Sequence, residues 1–281
     1  MTAKLLGLVL AGGRSTRMQR DKAALQYRPG QTQLAAAVDM LRPHVAQVFV
    51  SVRPDQRDDA TRRGYEQIVD QIESAGPIAG ILAAQSAHPD AAWWVLACDL
   101  PFLDEATLAD LAARRDAARD ATAYRSSHDG LPEPLCAIFE PRTRAALAAY
   151  VGTGRLCPRK FLLQADTLLL DPPNARALDN ANTSDDYWQA MAKLNPQQFV
   201  DQREICVQYF ALLREQAGCR EEKLVTSAPT PRVLYEELRK RHPFSLAADT
   251  LRIAINGEFA DWSRPLQAGD TVVFIPPVAG G

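Results

Sequence analysis

The chain has 281 residues, 47% of them hydrophobic and 23% charged, with a formal net charge of −2. That length buries a sizeable core and has room for two domains, and the near-neutral charge argues against a general nucleic-acid binder. The five cysteines, Cys98, Cys136, Cys157, Cys206 and Cys219, show no C-x-x-C spacing, which suits reduced thiols of a cytoplasmic protein better than disulfides or zinc. No apolar run reaches membrane-spanning length, and the apolar N-terminal stretch is too short for a signal peptide.

Leu5 to Leu10 is a continuous apolar run of the length of a strand buried on both faces. It stops at Gly12-Gly13, and a loop rich in Arg, Ser and Thr follows, with Lys22 at its far end. Without Cβ atoms, backbone N–H groups can approach an anion closely, and Lys22 can add a full positive charge beside them. This is chemistry for holding a polyphosphate. The spacing matches neither G-x-x-x-x-G-K-[ST] nor G-x-G-x-x-G. Gly-Gly alone would better suit an ordinary strand–turn with a solvated basic loop.

Further along, Thr32 to Leu41 carries Leu34, Val38 and Leu41 at helical spacing, and Pro43 ends it. Gln47 to Val52 and Glu66 to Val69 read as strands. Pro77 starts a helix behind the turn residue Gly76. Trp93 to Cys98 is an apolar strand that ends at Asp99-Leu100-Pro101. Asp104 to Arg115 is an amphipathic helix, Thr122 to Ser126, Leu135 to Phe139 and Thr167 to Leu170 are further strands, and Arg142 to Tyr150 and Thr183 to Leu194 further helices. The run Arg53 to Arg63 alternates charges and reads as a solvated face. His44, His88, His128 and His242 show no metal-ligand spacing and read as surface or helix-end residues. Strands alternating with helices predict an α/β, doubly wound, mostly parallel sheet over residues 1–195.

In such sheets ligands sit beyond the carboxyl ends of the strands. The residues to watch are therefore the Gly12 loop, Ser51, Asp70, Asp99 and Asn180. Asp99 leaves a wholly apolar strand and is braced by Pro101. It could supply one carboxylate to a hard cation such as Mg²⁺, or it could cap a helix at a strand–helix turn.

Residues 196–203 form a polar break with a proline. Beyond it, over 204–281, Glu204 to Leu212 reads as an alternating strand and Glu222 to Thr226 as a second. Thr230-Pro231 opens a helix to Arg241. Leu251 to Ile255, a turn at Asn256-Gly257 and a last strand Thr271 to Ile275 complete a small α+β roll. The sequence closes on Pro276-Pro277-Val278-Ala279-Gly280-Gly281. A glycine pair can thread a narrow channel and present a bare carboxylate, although a frayed end has the same composition.

Two stretches resemble known families. Leu10 to Lys22 resembles the L-x-G-G-x-S-x-R-M-G-x-D-K signature of the nucleotidyltransferases that include molybdenum cofactor guanylyltransferase. Leu10, Gly12, Gly13, Ser15, Arg17, Met18, Asp21 and Lys22 match, while Gln19 replaces a Gly. Cys98-Asp99-Leu100-Pro101 resembles the family's C-D-x-P, whose Asp binds Mg²⁺. Gly76-Pro77-Ile78-Ala79-Gly80 resembles its G-P-L-A-G, with the preceding family Asp falling, one position shifted, on Asp70. Asn180-Ala181-Asn182-Thr183-Ser184 resembles its N-x-N-T-P, and Leu135-Cys136-Ala137-Ile138 its substrate-side strand. Ser51 stands where the family has Asn.

The resemblance implies a Rossmann-like nucleotidyltransferase in which a phosphate of molybdopterin attacks the α-phosphorus of MgGTP. Lys22 and Arg17 would neutralise the triphosphate and Asp99 would hold Mg²⁺. Leu10, Ala11, Gly12, Gly13, Ser51 and Asp70 would line the nucleotide, with Asn180 and Asn182 on the substrate side. Transfer from CTP or another nucleotide, and an inactive scaffold, stay open because of Ser51 and Gln19.

Residues 204–281 resemble the small, sulfur-carrier subunit of molybdopterin synthase, through Tyr209-Phe210-Ala211, Leu213-Arg214-Glu215, Ala254-Ile255-Asn256, Leu266 to Val272 and the Phe274 to Gly281 ending. This implies a β-grasp, ubiquitin-like domain whose Gly281, behind Gly280, is adenylated by a carrier-activating adenylyltransferase and becomes a thiocarboxylate. The large synthase subunit would be its partner, and the tail would stay free. A protein-modifier role is the non-enzyme alternative for this domain.

Overall fold

Strand β1 (Leu5–Leu10) is the axis of the first sheet, buried at its four inner positions. This computed structural model describes residues 2–13, 21–28, 30–72, 75–195 and 202–277. The chain divides into two units, Met1–Asn182 and Thr183–Gly281.

In the first unit, Asp21 caps a 3-10 turn, Lys22–Ala24, by accepting from the Ala23 N–H. Thr32 caps helix α1 (Gln33–Leu41). Strands β2 (Val48–Val52) and β3 (Gln67–Val69) follow. Helix α2 (Pro77–Ala87) starts behind Gly76, whose φ of 67° lies in the left-handed region, with Pro77 in its first turn. Strand β4 (Ala92–Ala97) is buried throughout, and Asp104 caps helix α3 (Glu105–Ala113). Strands β5 (Ala121–Arg125) and β6 (Pro132–Phe139), helices α4 (Thr143–Gly152) and α5 (Pro158–Leu162), and strand β7 (Thr167–Leu170) complete the unit.

The sheet order is β3-β2-β1-β4-β6-β5-β7. All neighbours are parallel except around β6, which runs against both β4 and β5. Trp93 and Trp94 are fully buried on opposite faces of β4, one in each of the two hydrophobic layers that flank the sheet; truncating either to Ala typically costs about 3–5 kcal/mol. The strand order turns back between β1 and β4, so their carboxyl ends frame a crevice. In register, Leu10 lies between Ser51 and Ala97, which brings the ends of β1, β2 and β4 together.

One sequence expectation fails here. Within Arg53 to Arg63, Arg62 is 1% exposed rather than solvated. Alternating charge does not show which way a side chain turns, and Arg62 turns inward to the Ala11 carbonyl and to Asp21 and Asp59, whose own side chains stay 34% and 38% exposed.

The second unit begins with helix α6 (Ser184–Leu194), capped by Thr183. Strand β8 (Arg203–Tyr209) leads into helix α7 (Ala211–Ala217). The sequence expects the strand to run to Leu212, but alternation stops at Tyr209. Ala211 to Ala217 are good helix formers, Leu213 is buried, and Gly218 at φ 72° closes the helix. Strand β9 (Glu221–Thr226), helix α8 (Pro231–Arg241), and strands β10 (Arg252–Ile255), β11 (Glu258–Ala260) and β12 (Thr271–Ile275) follow. Asn256 and Gly257, at φ 56° and 86°, make the β10–β11 hairpin turn.

The sheet order is β11-β10-β12-β8-β9, with only the central β8–β12 pair parallel. Leu234, Tyr235 and Leu238 of α8 share one core with Ile205, Val207, Ile253, Val272 and Phe274 of the sheet. A helix laid across a mixed sheet whose first and last strands pair in parallel at its centre is the β-grasp, ubiquitin-like arrangement. Gly280 and Gly281 lie outside the described residues.

Candidate nucleotide site

A cavity of about 780 Å³ opens at the crevice, a size that suits a small-molecule ligand. Leu10, Ala11, Gly12, Gly13, Lys22, Ser51, Asp70, Asp99 and Asn182 line it. Asn180 is exposed and is not part of the lining. Arg17 lies outside the described residues, as do Ser15, Met18 and Gln19.

The two glycines sit in different surroundings. A Cβ on Gly12 would sit 3.3 Å from Asp70 Oδ2, a tight approach to the carboxylate at the end of β3. A Cβ on Gly13 would meet nothing within 4 Å among the described residues.

Lys22 is aimed by the Asp21-capped turn. Its Nζ donates to Asp99 Oδ2 at 2.9 Å and to Asn182 Oδ1 at 2.7 Å. The Asp99 carbonyl accepts from the Ala181 N–H at 3.1 Å, which ties the Asn182 segment to the end of β4. Asp99 Oδ1 is buried and has no hydrogen-bond partner among the described residues. A buried acceptor left open is costly unless something fills it, and a hard cation such as Mg²⁺ fits that position. The described residues hold no cluster of three or more His, Cys, Asp or Glu side chains placed for a metal. A cation here would therefore complete its shell with phosphate oxygens and water.

On the β2–β3 side, Ser51 is 2% exposed and its Oγ donates to Asp70 Oδ1 at 2.7 Å. Burial pushes the Asp70 carboxyl above its usual range, partly offset by the Ser51 hydroxyl and the Arg53 charge. Gly80 of α2 lets Ser51 in, since a Cβ there would stand 2.3 Å from Ser51 Oγ. Burial, and then the Asp99 charge, push the Cys98 thiol up to about 12, so it stays protonated and is no nucleophile.

Two arginines escaped the sequence reading. Arg53 donates to the Gly12 carbonyl and forks onto Asp55 at 3.0 Å on both arms. Arg62 reaches the Ala11 carbonyl and Asp21. No local motif marks either one; both meet the loop only through tertiary folding.

A glycine pair, a lysine and an open carboxylate at the switch point of a mostly parallel sheet define an α/β nucleotide-binding domain of the nucleotidyltransferase type. Residues 7–169 match the family model described as MobA-like NTP transferase domain, and residues 207–281 match that of the ThiS family. The first match spans more than half of the chain, which therefore belongs to the MobA-like NTP transferase family.

The chain is 36% identical over 185 residues to a molybdenum cofactor biosynthesis bifunctional protein of Synechocystis sp., covering 66% of this chain and 53% of that one. It thus spans about half the length of that relative. It is 34% identical over 183 residues to the molybdenum cofactor guanylyltransferase of Pseudomonas fluorescens, covering 63% of this chain and 88% of that one. The crystal structure of molybdopterin-guanine dinucleotide biosynthesis protein A from Archaeoglobus fulgidus shares the fold, with TM-score 0.57 at 23% identity over 68% of this chain and 99% of that one.

Proposed function

We propose that residues 1–195 transfer GMP from GTP to molybdenum-bearing molybdopterin, and that residues 204–281, beyond a linker at 196–203, carry sulfur as a Gly281 thiocarboxylate. The observation that carries the first part is the convergence of Lys22, Asp99 and Asn182 on one side of the Gly12-Gly13 turn.

In this reading the pterin's phosphate oxygen attacks the α-phosphorus, and pyrophosphate leaves with the electrons of the broken P–O bond. The attacking oxygen is already anionic at neutral pH, so no protein base or nucleophile is required. The chain aligns the reactants and neutralises charge. The Gly12 and Gly13 amides cradle phosphate oxygens, Lys22 and Arg17 offset their charge, and Asn182 serves the pterin side, with Asn180 outside the cavity lining. Asp99 would hold Mg²⁺, which lowers the charge on the triphosphate when bound.

At the base end, Ser51 spends its proton on Asp70. That leaves Asp70 Oδ2 as an acceptor for the N–H groups of guanine, whereas cytosine offers fewer donors. The five free thiols support a cytoplasmic location. The carrier reading adds two partners, the adenylyltransferase that activates Gly281 and the large subunit of molybdopterin synthase, and it is supported by the ThiS-family match.

Pyrophosphate release from GTP and from CTP, each with Mg²⁺ and molybdopterin, tests the first part. GTP-dependent release is expected, a preference for CTP would change the product, and no release from folded protein would leave the domain a scaffold. Mass spectrometry after incubation with the activating enzyme and a sulfur donor tests the second. Exchange of one oxygen for sulfur at Gly281 is expected, and isopeptide bonds to lysines would overturn the carrier role.

A further inference from the structure

Arg62 sits behind the phosphate loop rather than in front of it. It is 1% exposed, and all of its donors are engaged. Nε and Nη2 donate to the Ala11 carbonyl at 3.0 and 2.8 Å. Nη1 and Nη2 donate to Asp21 Oδ2 and Oδ1 at 2.6 and 2.8 Å, and Nη1 also donates to Asp59 Oδ1 at 2.8 Å. A guanidinium carries five N–H donors, and these contacts use them all. Asp21 and Asp59 also outweigh its single charge. Arg62 therefore has neither a donor nor net charge to offer a phosphate.

Its partners mark both ends of the loop. Ala11 is where the chain leaves β1, just before Gly12-Gly13. Asp21 is where it re-enters, and Asp21 Oδ1 also accepts from the Ala23 N–H at 3.1 Å, capping the turn that carries Lys22. Arg62 is itself fixed by its backbone. Its N–H donates to the Asp59 carbonyl, and its own carbonyl accepts from Tyr65 N and Gln67 Nε2.

We propose that Arg62 is a positioning residue, a strut that sets the Gly12-Gly13 amides and the Lys22 ammonium at a fixed separation for the triphosphate while touching no substrate. This rests on the reading of the cavity as a nucleoside triphosphate site. Lysine cannot replace it, because one ammonium lacks the planar fork that spans a carbonyl and a carboxylate together.

The test is calorimetric binding of GTP with Mg²⁺, and of guanosine, to the full chain. The proteins compared are wild type, Arg62→Lys, Lys22→Ala and the double variant. Arg62→Lys should weaken GTP by about tenfold, ~1.4 kcal/mol, and leave guanosine unchanged, since guanosine has no phosphates to misalign. In the Lys22→Ala background the same change should cost less than about threefold, because the ammonium that Arg62 helps to place is then gone. A general loss of fold would weaken both ligands alike.

Equal loss for guanosine and GTP, strictly additive losses, or an unaltered GTP affinity would overturn the proposal while leaving the nucleotide reading in place. Failure of the wild type to bind any nucleoside triphosphate would remove both. Should Arg62→Lys not fold, Asp21→Asn keeps an oxygen for the Ala23 N–H and drops the charge that Arg62 grips. It should show the same phosphate-selective loss, and wild-type GTP affinity there would refute the strut.

Discussion

Lys22→Ala separates stability from chemistry. The ammonium is 2.9 Å from Asp99 Oδ2 and 2.7 Å from Asn182 Oδ1, with the Lys22 and Asp99 side chains 19% and 17% exposed. At that partial burial the two charge-assisted bonds are worth about 1–2 kcal/mol net, which lowers the melting temperature by ~2–8 °C. A domain with an ordinary margin of about 5–15 kcal/mol stays folded at 25 °C. The catalytic loss is larger. One preorganised donor aimed at developing charge is typically worth about 10²–10³ in turnover. Pyrophosphate release with GTP and molybdopterin, measured beside circular-dichroism melting, should therefore show turnover collapsing while the melting temperature falls by no more than ~2–8 °C and the protein stays folded at 25 °C. Turnover within a few-fold of wild type, from protein with that melt, would refute the assignment of the phosphate-binding cation.

Other perturbations probe the base side and the second unit. Gly80→Ala puts a methyl 2.3 Å from Ser51 Oγ and 3.0 Å from Leu10 Cδ2; overpacking of this kind costs about 1–3 kcal/mol, and nucleotide affinity should fall with the melting temperature. Asp70 has a raised carboxyl pKa from burial, opposed by Ser51 and Arg53. The folded state thus holds its proton above the unfolded value, and the stability contributed by this group is lost as pH rises through its folded pKa. Asp70→Asn should be neutral or stabilising at pH 7 and lose that advantage in acid, while binding GTP more weakly; destabilisation at pH 7 would contradict it. Burial raises the Glu222 carboxyl, but bonds from Tyr209 and His242 outweigh it, so the net shift is downward. Its stabilisation is present above the unfolded value of 4.5 and lost as pH falls through the folded pKa. Tyr209→Phe removes the hydroxyl that donates to Glu222 Oε1, so denaturant melts of the variant should show a shallower loss of stability on acidification than wild type.

Local chemistry made much of this protein legible before folding. The apolar runs that became β1 and β4, the Gly12-Gly13 turn, Pro77 behind Gly76, Asn256-Gly257 and the Thr230-Pro231 helix start each depend on neighbouring residues alone. The strand drawn through Leu212 shows where that logic ends. Phe210 to Leu212 fit either pattern, and only the burial of Leu213 in the second core, with Gly218 closing the turn, makes the helix win.

The sequence by itself determined which residue types end up at the strand ends, because a buried strand must release its first polar group where the sheet stops. It could not decide who meets whom. Lys22 and Asn182 are 160 positions apart, and parallel pairing of β1 with both β2 and β4 brings their segments together only after long crossovers close. The tertiary structure alone also decided that Arg62 goes inside. A charge run looks solvated until Ala11, Asp21 and Asp59 are assembled around it, and a guanidinium is worth burying only once every donor has a partner.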